Sequence, residues 1–576
     1  MFCNEKWIPA LTEGNPFRGA GMTLDQRFPK QHGGKFTQPQ SRKTNMIRIP
    51  GFARCLLVII IAALVIFSAS AESKTLRWAG AGELVSCDPA IGTDTAALVF
   101  MAHIYERLVT RDRDFALAPS LALSWEPVSP TTMRFKLRPG IKFHDGTPFV
   151  ADDIAFSIAR AREPTSLIKS NTVGIKSAVR VDDLTVDIQT EGPLPTLLNQ
   201  LYLIPIMSRA WAAKHGVTGP ANYVAGKENF ATRHANGTGP FQLKSFESGG
   251  KVVLSAHRAW WGQREGNVTE GIYTPIRSNG TRLAALVSGE VDLLIDPPVQ
   301  DLERLRSNAA LKLLQIPEPR IILLQFDLAR DELLFSSVKG KNPFKDRRVR
   351  EAMRLAIDGD ALHKKVMRGN SRPMGSMIAK GITGHSELAA RPAVFDPLRA
   401  QKLLAEAGYP NGFSVTLDCT NDRYILDEQI CAALAGMFSK VGIDATPNPK
   451  PKALFFQKTD ASRRETSLML IGYYPTTVDA GALLEGVLHT YNGKGAGDNN
   501  TGQYSNPKMD ALLQAARVEL DAPKRVALLE EIQLLQNQDI ATIPIHQQLP
   551  SWAMRRNIDT PARLDNGLDL RWVVVR

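Results

Sequence analysis

Phe143-His144-Asp145-Gly146-Thr147-Pro148-Phe149 predicts a tight turn that leads into a helix at 151–162. An Asp side chain accepts hydrogen bonds from the nearby backbone, and Gly adopts a positive φ without a steric penalty, so His144-Asp145-Gly146 is typical of a turn. We therefore interpret His144 as a turn residue and not as a catalytic group or a metal ligand.

Further segments of recognisable pattern lie on both sides of this turn. One of them, Gly237-Thr238-Gly239-Pro240-Phe241, predicts another tight bend and does not have the form of a phosphate-binding loop. The remaining segments, in chain order, are LAPSLALSW (117–125), Ser288-Gly289-Glu290-Val291-Asp292, NPFKDRRVREAMRLAID (342–358) and AQKLLAEAGYP (400–410).

Strand-like and helical patterns alternate along the chain after residue 74, which indicates α/β layers. Asp346 is a predicted N-cap, a helix at 397–407 is expected to stop at Gly408, and Asn506-Pro507 predicts the start of a helix at 508–520. The predicted strands are Thr75–Trp78, Met133–Leu137, Thr185–Ile188, Val252–Ser255, Val291–Ile295, Ile321–Phe326 and Ser414–Leu417.

Taken together and in this order, the six segments resemble the family 5 extracellular solute-binding proteins, the dipeptide/oligopeptide-type receptors of ABC importers. The resemblance covers essentially all of 74–576. It implies an α/β, two-lobed periplasmic-binding-protein fold (type II, cluster C-like) with a hinge and an extra subdomain in lobe one. The implied boundaries are lobe one at 72–113, 232–319 and 546–576, the inserted subdomain at 114–231, and lobe two at 320–545.

The N-terminal region has the pattern of a secretory signal peptide. The apolar run CLLVIIIAALVIF (55–67) is shorter than the roughly 20 residues that a membrane-spanning helix needs. Arg48 and Arg54 precede it and Ser68-Ala69-Ser70-Ala71 follows it, so 46–71 is a predicted signal peptide cleaved near Ala71. Residues 1–45 are polar and aperiodic, and we interpret them as a disordered extension or the result of a mis-assigned start, because Met46 directly precedes the signal.

Composition and charge exclude several classes of function. The chain has 576 residues, 44% of them hydrophobic and 22% charged, which is typical of a globular protein. Half of its net charge of +12 belongs to residues 1–71, whose removal leaves 61 basic against 55 acidic side chains. No run of like charges remains, so nucleic acid is not an expected partner.

The sequence carries no familiar catalytic or metal-binding motif. It has no G-x-S-x-G, H-E-x-x-H or C-x-x-C, and its ten His residues are scattered singly. We therefore expect no enzymatic activity, no cofactor and no bound metal. Of the three Cys after residue 71, Cys419 and Cys431 either form a disulfide in an oxidising compartment or remain two buried thiols, and Cys87 has no obvious partner.

The resemblance also implies where a ligand is held. It places 83–88 (ELVSCD) on the lobe-one side of the cleft and 473–479 (YYPTTVD) on the lobe-two side. Thr476 falls where peptide-binding members carry the Asp that holds the ligand's α-ammonium group, so Asp479 or Glu83 would have to supply that carboxylate. The candidate ligand-binding residues are Glu83, Ser86, Asp88, Arg423, Tyr473, Tyr474, Thr476, Asp479, Tyr491 and Trp552.

The leading functional hypothesis is a monomeric periplasmic receptor that captures a peptide or peptide-like solute and delivers it to ABC-importer permease subunits. One alternative is a secreted hydrolase that uses the same cleft. Others are a receptor for a non-peptide solute such as an opine, a sugar or a metal complex, a metal or haem carrier, and a chaperone-like or signalling protein. The receptor and the hydrolase differ in whether a bound compound is turned over.

Overall fold

The computed structural model describes residues 74–92, 95–459 and 463–576. The predicted extension at 1–45 and the predicted signal peptide at 46–71 lie outside the described residues. Within the described part of the chain, none of the helices has both the length and the apolar character needed to cross a membrane.

A seven-stranded mixed sheet forms the first layer and is assembled from distant parts of the sequence. Strand Thr75–Gly80 lies at its centre and pairs in parallel with two neighbours. The rings of Trp78, Phe100 and Tyr273 pack together beside it at centroid distances of 5.2–5.8 Å. In spatial order the strands are Leu311–Gln315, Ser551–Arg555, Leu293–Ile295, Thr75–Gly80, Glu270–Pro275, Val252–Ala256 and Phe241–Phe246.

A separate four-stranded antiparallel sheet lies within the segment predicted as an inserted subdomain, 114–231. Helix Ala151–Ala161 packs on it and contributes Ile154 and Ile158 to a core shared with Phe135. The helix follows the FHDGTPF turn, where Gly146 has φ 87°, and the Asp153 carboxylate accepts a hydrogen bond from the Val150 amide. The strands are Ala122–Ser129, Thr132–Leu137, Thr185–Thr190 and Ile175–Asp182.

A six-stranded sheet covered by helices on both faces forms the other large layer. All six residues of its strand Ile321–Phe326 are buried, as expected for a strand with no solvent-facing side. In spatial order the strands are Ser371–Pro373, Thr542–Gln548, Ile321–Phe326, Leu468–Tyr473, Phe413–Thr420 and Ile443–Lys450. Helices Arg347–Ala356, Pro397–Glu406 and Asp427–Ser439 share one core, and helices Ala480–Leu488, Pro507–Val518 and Ala522–Asp539 share another.

Shorter elements complete the described chain. Two small two-stranded ladders pair Val109–Arg111 with Leu117–Pro119 and Ile558–Asp559 with Val574–Val575. The remaining α-helices are Thr95–Ile104, Leu197–Leu201, Arg209–Lys214, Phe230–Arg233, Asn279–Ser288, Leu302–Arg306, Gly359–Ala361 and Lys452–Thr459.

The chain passes twice between the two large sheets. We call the seven- and four-stranded sheets with their helices lobe one, and the six-stranded sheet with its helices lobe two. The first passage is at 316–320, and the second is at 549–550, because Thr542–Gln548 still pairs in the six-stranded sheet. The predicted boundary at 545/546 therefore falls inside a strand. The two passages are held together, since the Ile316 amide donates to the Pro550 carbonyl at 2.7 Å.

Local sequence signals agree with the observed helix starts. Asp346 caps helix Arg347–Ala356 by accepting a hydrogen bond from the Arg348 amide, and Asn506 caps Pro507–Val518 in the same way. The seven predicted strands all lie in observed strands, although Val291–Ile295 shortens to Leu293–Ile295. Close packing requires both Gly residues of the predicted bend. A Cβ at Gly237 would lie 1.9 Å from the Ile104 carbonyl oxygen, and a Cβ at Gly239 would lie 2.3 Å from the His103 carbonyl oxygen.

Cys419 and Cys431 are joined by a disulfide in the structure. It ties the end of strand Phe413–Thr420 to helix Asp427–Ser439 and so brackets the loop that carries Arg423. Cys87 is a buried free thiol, and burial raises its pKa to about 12.

We predict that Cys419→Ala/Cys431→Ala lowers the free energy of unfolding by about 3 kcal/mol, because the crosslink closes a loop of 12 residues in the unfolded chain. Urea denaturation with and without dithiothreitol measures this. The reductant should destabilise the wild type and leave the double variant unchanged. Equal stability of the oxidised wild type and the variant would contradict the prediction.

Candidate solute-binding site

A cavity of about 720 Å³ lies between the two lobes. Its lobe-one wall comes from helix Thr95–Ile104, from the residues just after it, and from loops within 114–231. Its lobe-two wall comes from the loop after strand Phe413–Thr420, from helix Lys452–Thr459, from the end of strand Leu468–Tyr473 and from the loop around Asn499. The size and the mixture of aromatic and charged lining residues are typical of a site for a small organic solute.

The C-terminal segment contributes a large share of the charged lining. Arg563 pairs with Asp565 at 2.9 Å, and Arg571 pairs with Asp569 at 2.6 Å. The Arg571 guanidinium holds the pKa of the Asp569 carboxyl below its ordinary value despite burial. Within each pair, the positive and the negative charge therefore neutralise each other inside the wall.

The connection between the lobes adds a third pair. Arg320 lies 3.2 Å from Glu318, and its guanidinium is 5.6 Å from the centre of the Tyr474 ring. Because Glu318 and Arg320 lie at the passage from one lobe to the other and Tyr474 lies on lobe two, this contact joins the two walls of the cavity.

Glu106 lines the cavity and is held by two indoles. Trp261 Nε1 donates to one carboxylate oxygen at 2.8 Å and Trp260 Nε1 to the other at 3.3 Å. Burial raises the pKa of Glu106 to about 7, although the Trp261 hydrogen bond acts in the opposite direction. Trp260 and Trp261 thus position an ionisable group of the site.

The raised pKa of Glu106 predicts that the stability of the folded protein depends on pH. Between pH 4.5 and about 7 the folded protein keeps this proton while the unfolded chain loses it, so stability falls as pH rises through this window. We expect wild type to lose about 2–3 kcal/mol relative to Glu106→Gln between pH 5 and pH 8. Urea denaturation at both pH values checks this, and parallel pH profiles of the two proteins would contradict it.

Four of the ten predicted ligand-binding residues line the cavity: Arg423, Tyr473, Tyr474 and Thr476. Arg423 donates from Nε to the Tyr424 hydroxyl at 3.1 Å, and its guanidinium lies 4.9 Å from the centre of the Phe456 ring. Tyr473 donates its hydroxyl to the Asn499 carbonyl at 3.1 Å. Thr476 is exposed on the lobe-two side.

The structure gives both predicted aspartates a different task from ligand binding. Both oxygens of Asp88 accept from Arg160 at 2.6 and 2.7 Å, and both oxygens of Asp479 accept from Arg525 at 2.7 Å. All four side chains are buried. Asp479 also caps helix Ala480–Leu488 through the Gly481 amide, so neither carboxylate faces the cavity.

The other four predicted residues also lie away from the cavity lining. Glu83 is paired with Arg277, and Ser86 is buried and accepts from the Asp88 amide. Trp552 is fully buried in the seven-stranded sheet, where its Nε1 donates to Asn566. Tyr491 lies beside Arg464, with 6.0 Å between guanidinium and ring centre. None of these four side chains is part of the cavity wall.

Sequence reasoning missed most of the lobe-one wall. The missed residues include Glu106, Arg107, Tyr202 and the C-terminal charges. One signal was available, because Arg563, Asp565, Asp569 and Arg571 place four charges within nine residues near the C-terminus. Among the described residues, no group of three or more His, Cys, Asp or Glu side chains is arranged to hold a metal ion.

Comparison with known proteins fits this geometry. The sequence profile of the bacterial extracellular solute-binding proteins, family 5, matches residues 116–495. The chain belongs to this family. As a family 5 binding protein it has the α/β, two-lobed type II fold that the sequence led us to expect, with the cavity between its lobes.

Individual relatives extend over nearly the whole length of this family 5 binding protein. The glutathione-binding protein GsiB of Pectobacterium atrosepticum is 26% identical over 486 residues, which are 83% of this chain and 90% of the relative. DppA of Helicobacter pylori, solved with the peptide STSA, has a TM-score of 0.69 at 22% identity and covers 87% of this chain and 98% of its own. MoaA of A. tumefaciens R10, solved with mannopinic acid, has a TM-score of 0.66 at 23% identity, with 88% and 100% covered.

Proposed function

We propose that this family 5 binding protein captures a small peptide or peptide-like solute in the cavity between its lobes and delivers it to the permease of an ABC importer. The observation that carries the proposal is the cavity itself, whose walls come from both lobes and whose volume suits one solute of this size. The relatives support the choice of solute, because GsiB is named for glutathione and DppA is solved with a peptide.

In this proposal the protein binds and releases its solute without chemical turnover. Closure of the lobes on the solute would use the passages at 316–320 and 549–550 as the hinge, and a solute that contacts both walls would favour the closed state. The protein would act in the periplasm as a monomer after removal of the signal peptide near Ala71.

Calorimetric titration with a panel of small peptides, followed by chromatography of the mixture, tests the proposal. We expect one solute per chain, recovered unchanged. Thr476→Trp, which adds bulk to the cavity wall, should abolish binding, whereas Val394→Trp adds the same bulk at an exposed residue outside the cavity and should not. Hydrolysis of a bound peptide would favour the alternative of a secreted hydrolase.

A further inference from the structure

The lobe-one wall contains a buried cation without a hydrogen-bond or ion-pair partner among the described residues. Arg107 lines the cavity and is only 8% exposed. Its guanidinium makes no hydrogen bond and no ion pair with any residue that the structure describes, and its Nε is fully buried. The guanidinium lies over the Tyr202 ring, with 5.3 Å between guanidinium and ring centre.

Such an arrangement is rare because it is costly. Buried polar groups are almost always hydrogen-bonded, and a buried charge without a partner destabilises a protein strongly. Burial lowers the pKa of Arg107 below its ordinary value, while Tyr202 and Asp565 act in the opposite direction. Asp565 does not serve as its partner, since this carboxylate is bound by Arg563 and by the Tyr202 hydroxyl.

The other charges of the wall separate into paired and unpaired groups. Arg320, Arg563 and Arg571 are each paired with a carboxylate of the same wall. Arg423, on lobe two, bonds only the Tyr424 hydroxyl through Nε, which leaves its two terminal nitrogens free among the described residues. Asp498, also on lobe two, is exposed to the cavity and has no hydrogen bond or ion pair to the described chain.

We propose that the cavity is built for an amino dicarboxylate, with one ligand carboxylate bound by Arg107 on lobe one, the second by Arg423 on lobe two, and the ligand ammonium group near Asp498. This inference rests on the proposed function and specifies its solute class. Arginine binds carboxylates through two parallel hydrogen bonds, and such a ligand supplies the acceptors that Arg107 lacks. Because the two arginines belong to different lobes, the ligand also links the lobes and selects the closed state.

The ligand class has two sources, a γ-linked peptide and a sugar-derived amino acid. Glutathione carries two carboxylates and one ammonium group, and mannopinic acid carries two carboxylates on a secondary amine. Calorimetry with each of these compounds distinguishes the sources. Trialanine, with one carboxylate, and glutathione monoethyl ester, with one carboxylate blocked, are the matched probes.

We expect wild type to bind glutathione or mannopinic acid at least about tenfold more tightly than trialanine. Arg107→Gln and Arg423→Gln should each weaken that binding by at least about thirtyfold. The ester should lose its sensitivity to one of these two substitutions, because the blocked carboxylate has no charge left to recognise. Arg304→Gln, which removes an exposed charge from lobe one, is the control and should leave affinity within twofold.

A stability measurement separates recognition from a structural role. If Arg107 awaits a ligand, Arg107→Gln does not lower the thermal midpoint of the unliganded protein, and a sharp drop would overturn the inference. Equal affinity for trialanine and the dicarboxylates, unchanged by either substitution, would also overturn it and leave the proposed function standing. Failure of all four probes to bind at millimolar concentration, while other small peptides bind, would overturn the inference alone, whereas failure of the whole panel of small peptides as well would overturn the proposed function.

Discussion

Arg160→Met is expected to lower the free energy of unfolding by about 3–5 kcal/mol. Arg160 binds both oxygens of Asp88, and the two side chains are 3% and 0% exposed. Removal of the guanidinium leaves a buried carboxylate whose remaining partners are the amides of Ala90 and Ala221. The effect is large because the pair joins the segment 83–88 to helix Ala151–Ala161.

Urea denaturation of Arg160→Met and Arg162→Met tests this. Arg162 follows two residues later and is exposed, so its substitution removes the same charge and is expected to cost less than about 1 kcal/mol. Asp88→Asn/Arg160→Met should recover part of the loss, since no charge then stays buried. Equal stabilities of the Arg160 and Arg162 variants would refute the prediction.

Arg525→Met is expected to destabilise lobe two by a similar 3–5 kcal/mol. Arg525 bonds both oxygens of Asp479 and also donates from Nε to the Ala516 carbonyl at 2.9 Å. The substitution therefore leaves Asp479 charged and buried and removes a link between two helices of the same core. Lys524→Met, at the exposed neighbouring residue, is the matched control.

The Asp479 pair also separates two accounts of the ligand site. The sequence allowed Asp479 to hold a ligand ammonium group, and then Asp479→Asn would weaken binding at least tenfold. The structure places Asp479 away from the cavity, so we expect Asp479→Asn to lower stability and to leave solute affinity within about threefold at a temperature where the variant is folded. A tenfold loss of affinity without loss of stability would return Asp479 to the ligand.

Local signals in the sequence were sufficient for the turns and helix starts. His144-Asp145-Gly146 is the predicted turn, and the structure adds a reason for its pattern: the His144 amide donates to the Gly237 carbonyl at 2.8 Å. The His144 ring nitrogen Nε2 lies 2.9 Å from the Gly239 carbonyl oxygen, so the two predicted bends pack on each other. Burial lowers the pKa of His144 to about 4, which keeps the ring neutral and suits this structural role.

The site was harder to predict because its partners are distant in the sequence. Asp88 and Arg160 are separated by 72 residues, and Asp479 and Arg525 by 46, so neither ion pair leaves a local pattern. The segments 83–88 and 473–479 therefore suggested that Asp88 and Asp479 bind the ligand, whereas in the fold each carboxylate forms a buried ion pair with an arginine. In the same way, nothing near Arg107 in the sequence shows that the Asp565 carboxylate is already bound by Arg563 and the Tyr202 hydroxyl.

The cavity between the lobes is expected to hold one small solute. Native mass spectrometry of wild type and Thr476→Trp, both purified from the periplasm, tests this most directly. We expect one small molecule per wild-type chain, carrying carboxylate groups and absent from Thr476→Trp. The same adduct on both proteins, or a wild type that is empty and forms no complex with millimolar glutathione, mannopinic acid or trialanine, would contradict it.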